Sequence, residues 1–296
     1  MNIISVDKGT AYTKTSEFIS FKSTVRKYRE DELNFSQDKV IVKYNNIKYV
    51  IGENGKTNTD LFKRQQEETK LLVLTAICLS NPNQHRQHIN LVTGLPIGRI
   101  GYERDVMKNL FQYSSNEICI GDVNYNINIG RTEVFPEGAC SFYSLQDTDE
   151  GLVVDIGGLS TDTALFVKGQ KLSKYSTYRL GIMPLYREIA NYIGSKYSLT
   201  LNEWLVHDIM ENGLSIDGKC VEFDVSHIIN RYLQQVIQAL EFDYSIPSIR
   251  NIFITGGGGE FLYPYIRKAI PRVQLMKNAR FTNAITYRNL GEVLFK

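Results

Sequence analysis

VVDIGGLSTDTALF, residues 153–166, sets an apolar run against an acid, two glycines, two hydroxyl residues and a second acid, before the chain turns apolar again. The pattern reads as a buried strand ending in Asp155, a glycine turn at Gly157 and Gly158, and a return strand carrying Asp162. A tight hairpin of this kind can aim successive backbone N–H groups at one point, which makes an anion site without a charged side chain. Glycine matters there because a side chain would block close approach. An acid is out of place against an anion unless a cation stands between them. Asp155 therefore points to Mg²⁺, held through waters because that ion dehydrates reluctantly.

The start of the chain repeats the plan. IISVDKGTAYTK (3–14) runs from an apolar strand to Asp7, a turn at Gly9, Thr10 and Ala11, and a return strand with Lys14. Asp7 is the second candidate for the metal. Lys14 follows it by seven residues, where strand alternation could aim it back at the anion as a point charge or leave it as a surface lysine. Each copy is followed by more strand and then helices, so the chain reads as a duplicated α/β unit with a cleft between the copies. A third glycine turn, ITGGGGEFLYPYIRK (254–268), ends a strand and opens a helix. Its Gly256, Gly257 and Gly258 would let a base or ribose lie against the backbone, and the helix N-terminus favours anions. Glu137, in VFPEGACSFY (134–143), stands at the predicted start of a helix crossing between the halves. It could orient or deprotonate a water attacking a γ-phosphate, or simply favour the helix dipole.

Bulk properties narrow the class. The 296 residues allow two domains of about 150 residues each, divided at the polar stretch QDTDEG, 146–151. Lys and Arg number 34 against 32 Asp and Glu, a net charge of +2, which argues against a chain whose main task is gripping nucleic acid. The four cysteines form no CxxC pair and read as free buried thiols. His85 and His88 read as part of a solvated loop. MNIISVDKGT has neither a basic n-region nor an apolar h-region, and no apolar run reaches the roughly 18 residues of a membrane span, so a cytoplasmic protein is expected. Along the chain, VIVKYNNIKYVIG reads as a hairpin with Asn45 and Asn46 at its tip. Residues 60–80 read as a helix with one apolar face, PEGACSFYSL as a helix with Pro136 in its first turn, LTLNEWLVHDIMENG as a single helix, and FLYPYIRKAI as a helix with Pro264 in its first turn.

Taken in order, these segments resemble the actin/Hsp70/sugar-kinase ATPase superfamily over nearly the whole chain. DKGTAYTK (7–14) is similar to the first phosphate loop, VFPEGACSFY to the first connecting helix, DIGGLSTD (155–162) to the second phosphate loop, ITGGGGEFL (254–262) to the adenosine loop, and FTNAITYRNLG (281–291) to the segment that returns to the first domain. The short chain, the PEG turn, the GLP strand end (94–96) and the pattern Asn283, Ala284, Tyr287, Gly291 resemble the bacterial actin-like plasmid-segregation proteins, the ParM group. Ala11 departs from the glycine many relatives carry there.

The resemblance implies an α/β, actin-like ATPase fold: two duplicated RNase H-like domains, 1–150 and 151–296, with a nucleotide cleft between them and a C-terminal segment from about 276 returning to the first. It implies that ATP, with GTP left open, binds with Mg²⁺ against Gly9, Thr10, Ala11, Lys14, Gly157, Gly158, Leu159, Ser160 and Gly256–Gly258, that Asp7 and Asp155 organise the metal, and that Glu137, assisted by Asp155, positions the attacking water. Arg179, Gly181 and Glu203 are candidates near the adenine. The implied activity is an ATPase coupled to dynamic filaments of the chain itself, linked to a plasmid centromere by a ParR-like DNA-binding adaptor, with no direct contact to nucleic acid or membrane. A monomeric small-molecule phosphotransferase of the same fold is the alternative. A non-catalytic or membrane-attached scaffold is a third reading, and the want of a basic amphipathic terminal helix speaks against membrane attachment.

Overall fold

The computed structural model describes residues 2–29, 39–53, 66–145 and 148–296. The first half holds strands β1 (Asn2–Lys8), β2 (Tyr12–Thr15), β3 (Ser20–Lys22), β4 (Val25–Lys27), β5 (Val40–Tyr44) and β6 (Ile47–Ile51), helix α1 (Gln66–Ser80), strand β7 (Arg86–Leu95), helix α2 (Ile100–Phe111), and strands β8 (Ser114–Ile120) and β9 (Val123–Pro136). The second half holds β10 (Gly151–Ile156), β11 (Thr161–Val167), β12 (Lys171–Tyr178), α3 (Ile182–Tyr197), α4 (Val206–Asn212), β13 (Leu214–Ile216), β14 (Lys219–Val221), α5 (Ser226–Asp243), β15 (Ile252–Thr255), α6 (Gly257–Ala269), β16 (Val273–Leu275) and α7 (Thr282–Leu294).

Two sheets follow one plan. The order β12-β11-β10-β15-β16 is an antiparallel meander of three strands with two parallel strands added at one side. The order β3-β2-β1-β7-β9 repeats it in the first half, so the duplication read from the two hairpins is present in the topology. The first sheet then continues through β8, β5, β6 and β4 to nine strands. Its two edge strands, β3 and β4, are separated in sequence only by Ser23 and Thr24. Three Cα steps reach at most about 11 Å, so the sheet must curl until its edges approach each other.

Burial explains the patterning. All six residues of β10 are buried, as expected of a central strand covered on both faces. One face meets the core built by α3, α5 and α6. The other meets Ile97, Ala139 and Phe142, with the Phe142 ring stacked on Phe166 at 4.1 Å between centroids. Helix α1 is buried at every residue from 71 to 78, so it is covered all round there rather than on one face. Helix α7 packs on β1 and β7, with Tyr287 fully buried beside Val92 and Cys140.

Several expectations need correction. The helix expected over 60–80 runs from Gln66 in the described part, and 60–65 lie outside the described residues. Pro136 closes β9 instead of opening a helix, and Gly138, at φ +69, breaks the chain into a short 3₁₀ segment, Ala139–Ser144. Pro264 lies inside α6, because that helix already starts at Gly257. LTLNEWLVHDIMENG divides into a 3₁₀ turn, Glu203–Leu205, and the short α4. His88 is an exposed residue of β7, not of a loop, and Cys220 is exposed, not buried. The Asn45–Asn46 tip is as expected, with φ of 49° and 63°. In the stretch 146–151, residues 146–147 lie outside the described residues, and β10 begins at Gly151. Among the described residues no helix is long and apolar enough to cross a membrane.

Candidate active site

The two hairpins face each other across one cavity. In the first, β1 and β2 are joined by Gly9, Thr10 and Ala11, and Asp7 stands directly opposite Lys14 in the ladder. The Lys14 Nζ lies 3.0 Å from Asp7 Oδ2, with both side chains nearly covered. In the second, Asp155 stands opposite Asp162, and residues 157–160 form the turn. The same cross-strand position thus carries an ion pair in one hairpin and two acids in the other.

The turns need their small residues. A Cβ on Gly158 would lie 2.6 Å from the Ala11 Cβ and 3.1 Å from its backbone nitrogen, so the two loops touch. A Cβ on Gly9 would meet the Tyr12 carbonyl at 2.8 Å. The carbonyls of Gly157 and Gly158 accept from Ile182 and Met183 N–H at 3.0 and 2.9 Å, which ties the second loop to the first turn of α3. Gly256, at φ +84, lies against Asp155, and a Cβ there would sit 2.3 Å from Asp155 Oδ1. From Gly257 the chain enters α6, whose N-terminal glycines line the cavity.

Glu137 occupies the turn after β9, where its N–H donates to the Leu95 carbonyl at 2.8 Å. It also lines the cavity, which brings Asp7, Lys14, Glu137, Asp155 and Asp162 together. Asp155 Oδ2 accepts from Asn283 Nδ2 at 2.8 Å, and Asp162 accepts from Thr177 Oγ1 at 2.6 Å and Ser160 Oγ at 3.2 Å. The cluster holds more carboxylate than cation, and the protonation equilibria follow. Burial, with the charges of Asp7, Asp162 and Asp155, lifts Glu137 well above the usual carboxylate range, and Lys14 opposes the shift. Burial pushes Asp155 up to about 6, against the Asn283 hydrogen bond and the charge of Lys14. Burial pushes Asp162 up to about 7, with Asp155 adding to it and the Thr177 and Ser160 hydroxyls opposing. For Lys14, burial pulls downward, but the charge of Asp7 and the hydrogen bond to it prevail and raise its pKa.

Aromatic side chains also line the cavity. Tyr12 meets Trp204 edge-on at 5.5 Å, and Lys22 Nζ lies 5.4 Å from the Trp204 ring centre. Tyr186 Oη is 3.4 Å from His207 Nδ1, and His207 Nε2 is 3.2 Å from Arg280 Nη2. Of the sequence candidates, Gly9, Thr10, Ala11, Gly157, Gly158, Ser160, Gly256, Gly257, Gly258 and Glu203 line the cavity. Leu159, Gly181 and Arg179 stand outside its lining. Gly181 backs the loop instead: a Cβ there would lie 2.4 Å from the Gly158 carbonyl and the Leu159 Cα. Tyr12, Tyr186, Trp204, His207 and Arg280 had no sequence signal, since they come from separate segments with no shared local pattern.

The site suits a ligand with an anionic head and a flat tail, accompanied by a hard cation. The cation fits on the donor set, because carboxylate oxygens in excess of paired charge suit an oxygen-seeking ion. Among the described residues no group of three or more His, Cys, Asp or Glu could hold a metal ion by itself.

Comparison with known proteins agrees with this architecture. Residues 5–139 match the family described as actin-like proteins, N-terminal domain. No curated protein sequence matches the chain. Among solved structures, Ta0583, an archaeal actin homolog, is 16% identical over 99% of this chain and 100% of its own, with a TM-score of 0.82. A ParM from a 15-stranded filament of Clostridium botulinum is 22% identical over 99% and 100%, with a TM-score of 0.79. The Alp12 filament subunit is 16% identical over 100% of both chains, with a TM-score of 0.70. The archaeal homolog is also known in complex with ADP.

Proposed function

We propose that this chain, whose residues 5–139 match an actin-like family and whose fold is ParM-like from end to end, is a nucleotide-dependent polymerising ATPase that forms dynamic filaments for plasmid DNA segregation. The observation that carries this reading is the cavity between the two hairpins, where Lys14, Glu137 and three aspartates converge beside three glycine turns. On this reading residues 1–150 and 151–296 are two domains, with the chain from about 276 returning to the first, and nucleoside triphosphate bridges them.

Each residue then has a task. The backbone of 9–11 and 157–160 receives the phosphates, and Lys14 opposes their charge. Asp7 and Asp155 would hold hydrated Mg²⁺, which supplies charge neutralisation at the phosphates when bound. Glu137 orients the attacking water and takes up its proton. Burial and the neighbouring acids raise its affinity for a proton, which is the direction a group that accepts a proton from water requires. The aromatic lining, with Trp204, Tyr186 and Arg280, takes the base of ATP or GTP. Loss of the γ-phosphate removes a bridge between the halves and weakens the closed form that assembles. With a net charge of +2 the chain leaves the centromere to a ParR-like adaptor.

Right-angle light scattering with parallel phosphate release tests the proposal. Scattering should rise with Mg-ATP or Mg-GTP, decay as phosphate appears, and persist with a non-hydrolysable analogue. Glu137→Ala should still polymerise while phosphate release drops by about 10²- to 10⁴-fold. If no triphosphate raises scattering across a wide protein range, the filament reading is wrong and a phosphotransferase screen is the next step.

A further inference from the structure

The C-terminal helix reaches the charged cluster of the cavity through one side chain. Asn283 lies in the first turn of α7 and is 8% exposed. Its Nδ2 donates to Asp155 Oδ2 at 2.8 Å, and its Oδ1 accepts from the Gly138 N–H at 3.1 Å. A primary amide offers a donor and an acceptor at fixed separation, and here both are used on different segments. Asp155 belongs to the second sheet, Gly138 directly follows Glu137 in the crossing turn, and α7 packs on the first sheet.

The surroundings leave little slack. Asp155 is pressed on its other side by Gly256, where a Cβ would lie 2.3 Å from Oδ1. A Cβ on Gly138 would lie 3.0 Å from the Asp155 Cβ, so the turn and the acid are already in contact. One helical turn beyond Asn283, the fully buried Tyr287 fills the space that Gly94 leaves open, where a Cβ would overlap its hydroxyl. That packing fixes the rotation of α7, and with it the direction of the Asn283 amide.

We propose that Asn283 is a positioning residue for hydrolysis, one that holds the Asp155 carboxylate and the turn bearing Glu137 in a single register. The inference rests on the roles given above to Glu137 and Asp155. Asn283 does not touch the reacting atoms. It keeps the metal-side acid and the water-side acid at a constant separation while the halves move, and it conveys the seating of α7 on the first sheet to the second sheet.

The test compares the unsubstituted protein with Asn283→Ala and with Asn283→Ser, which keeps a polar group but is too short to reach both partners. Single-turnover phosphate release is measured beside cation-free ADP affinity. Binding is read from Trp204, the sole tryptophan of the chain, whose ring lies in the cavity. Both variants should release phosphate on the order of 10- to 100-fold more slowly, since small misplacements at a reacting centre cost that much. ADP affinity should stay within about threefold, as for a residue acting only in the chemical step, and the filaments should persist longer. Release at the unsubstituted rate overturns the inference, and so does slowing matched by an equal loss of ADP affinity, which would mark a merely structural role. If the unsubstituted protein releases no phosphate from any triphosphate, the hydrolytic reading itself fails, and the role of Asn283 falls with it.

Discussion

The β1–β2 and β10–β11 hairpins are copies of one design with opposite electrostatics. Both bring residues seven apart into direct cross-strand opposition beneath a glycine turn, Asp7 with Lys14 and Asp155 with Asp162. The first pair closes as an ion pair at 3.0 Å. The second opposes two acids, an arrangement that destabilises a sheet, and it is tolerated because Asn283, Thr177 and Ser160 each donate a hydrogen bond to it. The first half therefore contributes a fixed cation, and the second contributes charge that awaits one. The shared hairpin gives the two halves one geometry, and the exchange of Lys14 for Asp162 at the same cross-strand position gives them opposite charge.

Breaking the ion pair should have the largest effect. Lys14→Met leaves Asp7 buried at 3% exposure without its partner. Removing one member of a buried pair costs about 3–5 kcal/mol, because the remaining charge stays desolvated. Urea denaturation of the cation-free protein at pH 8 should show that loss, and nucleotide affinity should fall with it. A loss below about 1 kcal/mol, the range of exposed pairs, would mean that the pair is not buried as described and that the two hairpins differ less than their sequences imply.

The contact between the hairpins is the next point to probe. Gly158 and Ala11 meet so closely that Gly158→Ala must push the loops apart, and overpacking of this kind costs about 1–3 kcal/mol. The substitution should also weaken nucleotide binding, since the wedge stands between the two turns. Placing the methyl in the other loop, as the chain already does with Ala11, is harmless because Ala11 is buried in the core of the second half. A melting temperature of Gly158→Ala equal to that of the unsubstituted protein would show that the loops have room to separate.

This asymmetry also shows what the sequence could reveal. Asp7 and Asp155 were legible because an acid at a strand end before a glycine turn is a local signal, whereas alternation alone left Lys14 open between the anion and the surface, and Asp162 was read only as a second acid on the return strand. The topological repeat followed from the same local signal. The aromatic lining was not legible, since Tyr186, Trp204, His207 and Arg280 come from α3, a 3₁₀ turn, α4 and the segment before α7, and only tertiary packing joins them. The bond from Asn283 to Asp155 spans 128 residues and has no local pattern at all. The curl of the first sheet was hidden for a related reason. FISFKSTVRK reads as continuous alternation, yet its two ends join opposite edges of the sheet.

The smallest effect concerns the acid that has no counterpart in the first hairpin. Asp162 is pushed up to about 7, far above an ordinary aspartate near 3.9. A carboxyl held this way binds its proton more tightly in the folded chain than in the unfolded one, so stability falls as pH rises between those two values and the penalty is complete above the higher. Asp162→Asn stays neutral throughout and can still accept from Thr177. Its variant should therefore gain about 1 kcal/mol over the unsubstituted protein at pH 8, less than the shift alone would give, because Asp155 and Glu137 readjust when a neighbour is neutralised. Near pH 4 the gain should vanish. In the presence of Mg-ADP at pH 8 it should shrink or reverse, since the bound cation compensates the charge that the substitution removes. Paired urea titrations at the two pH values measure the difference. A gain independent of pH would show that Asp162 is stabilised by its hydroxyl neighbours as fully as Asp7 is by Lys14, and the electrostatic contrast between the hairpins would be lost.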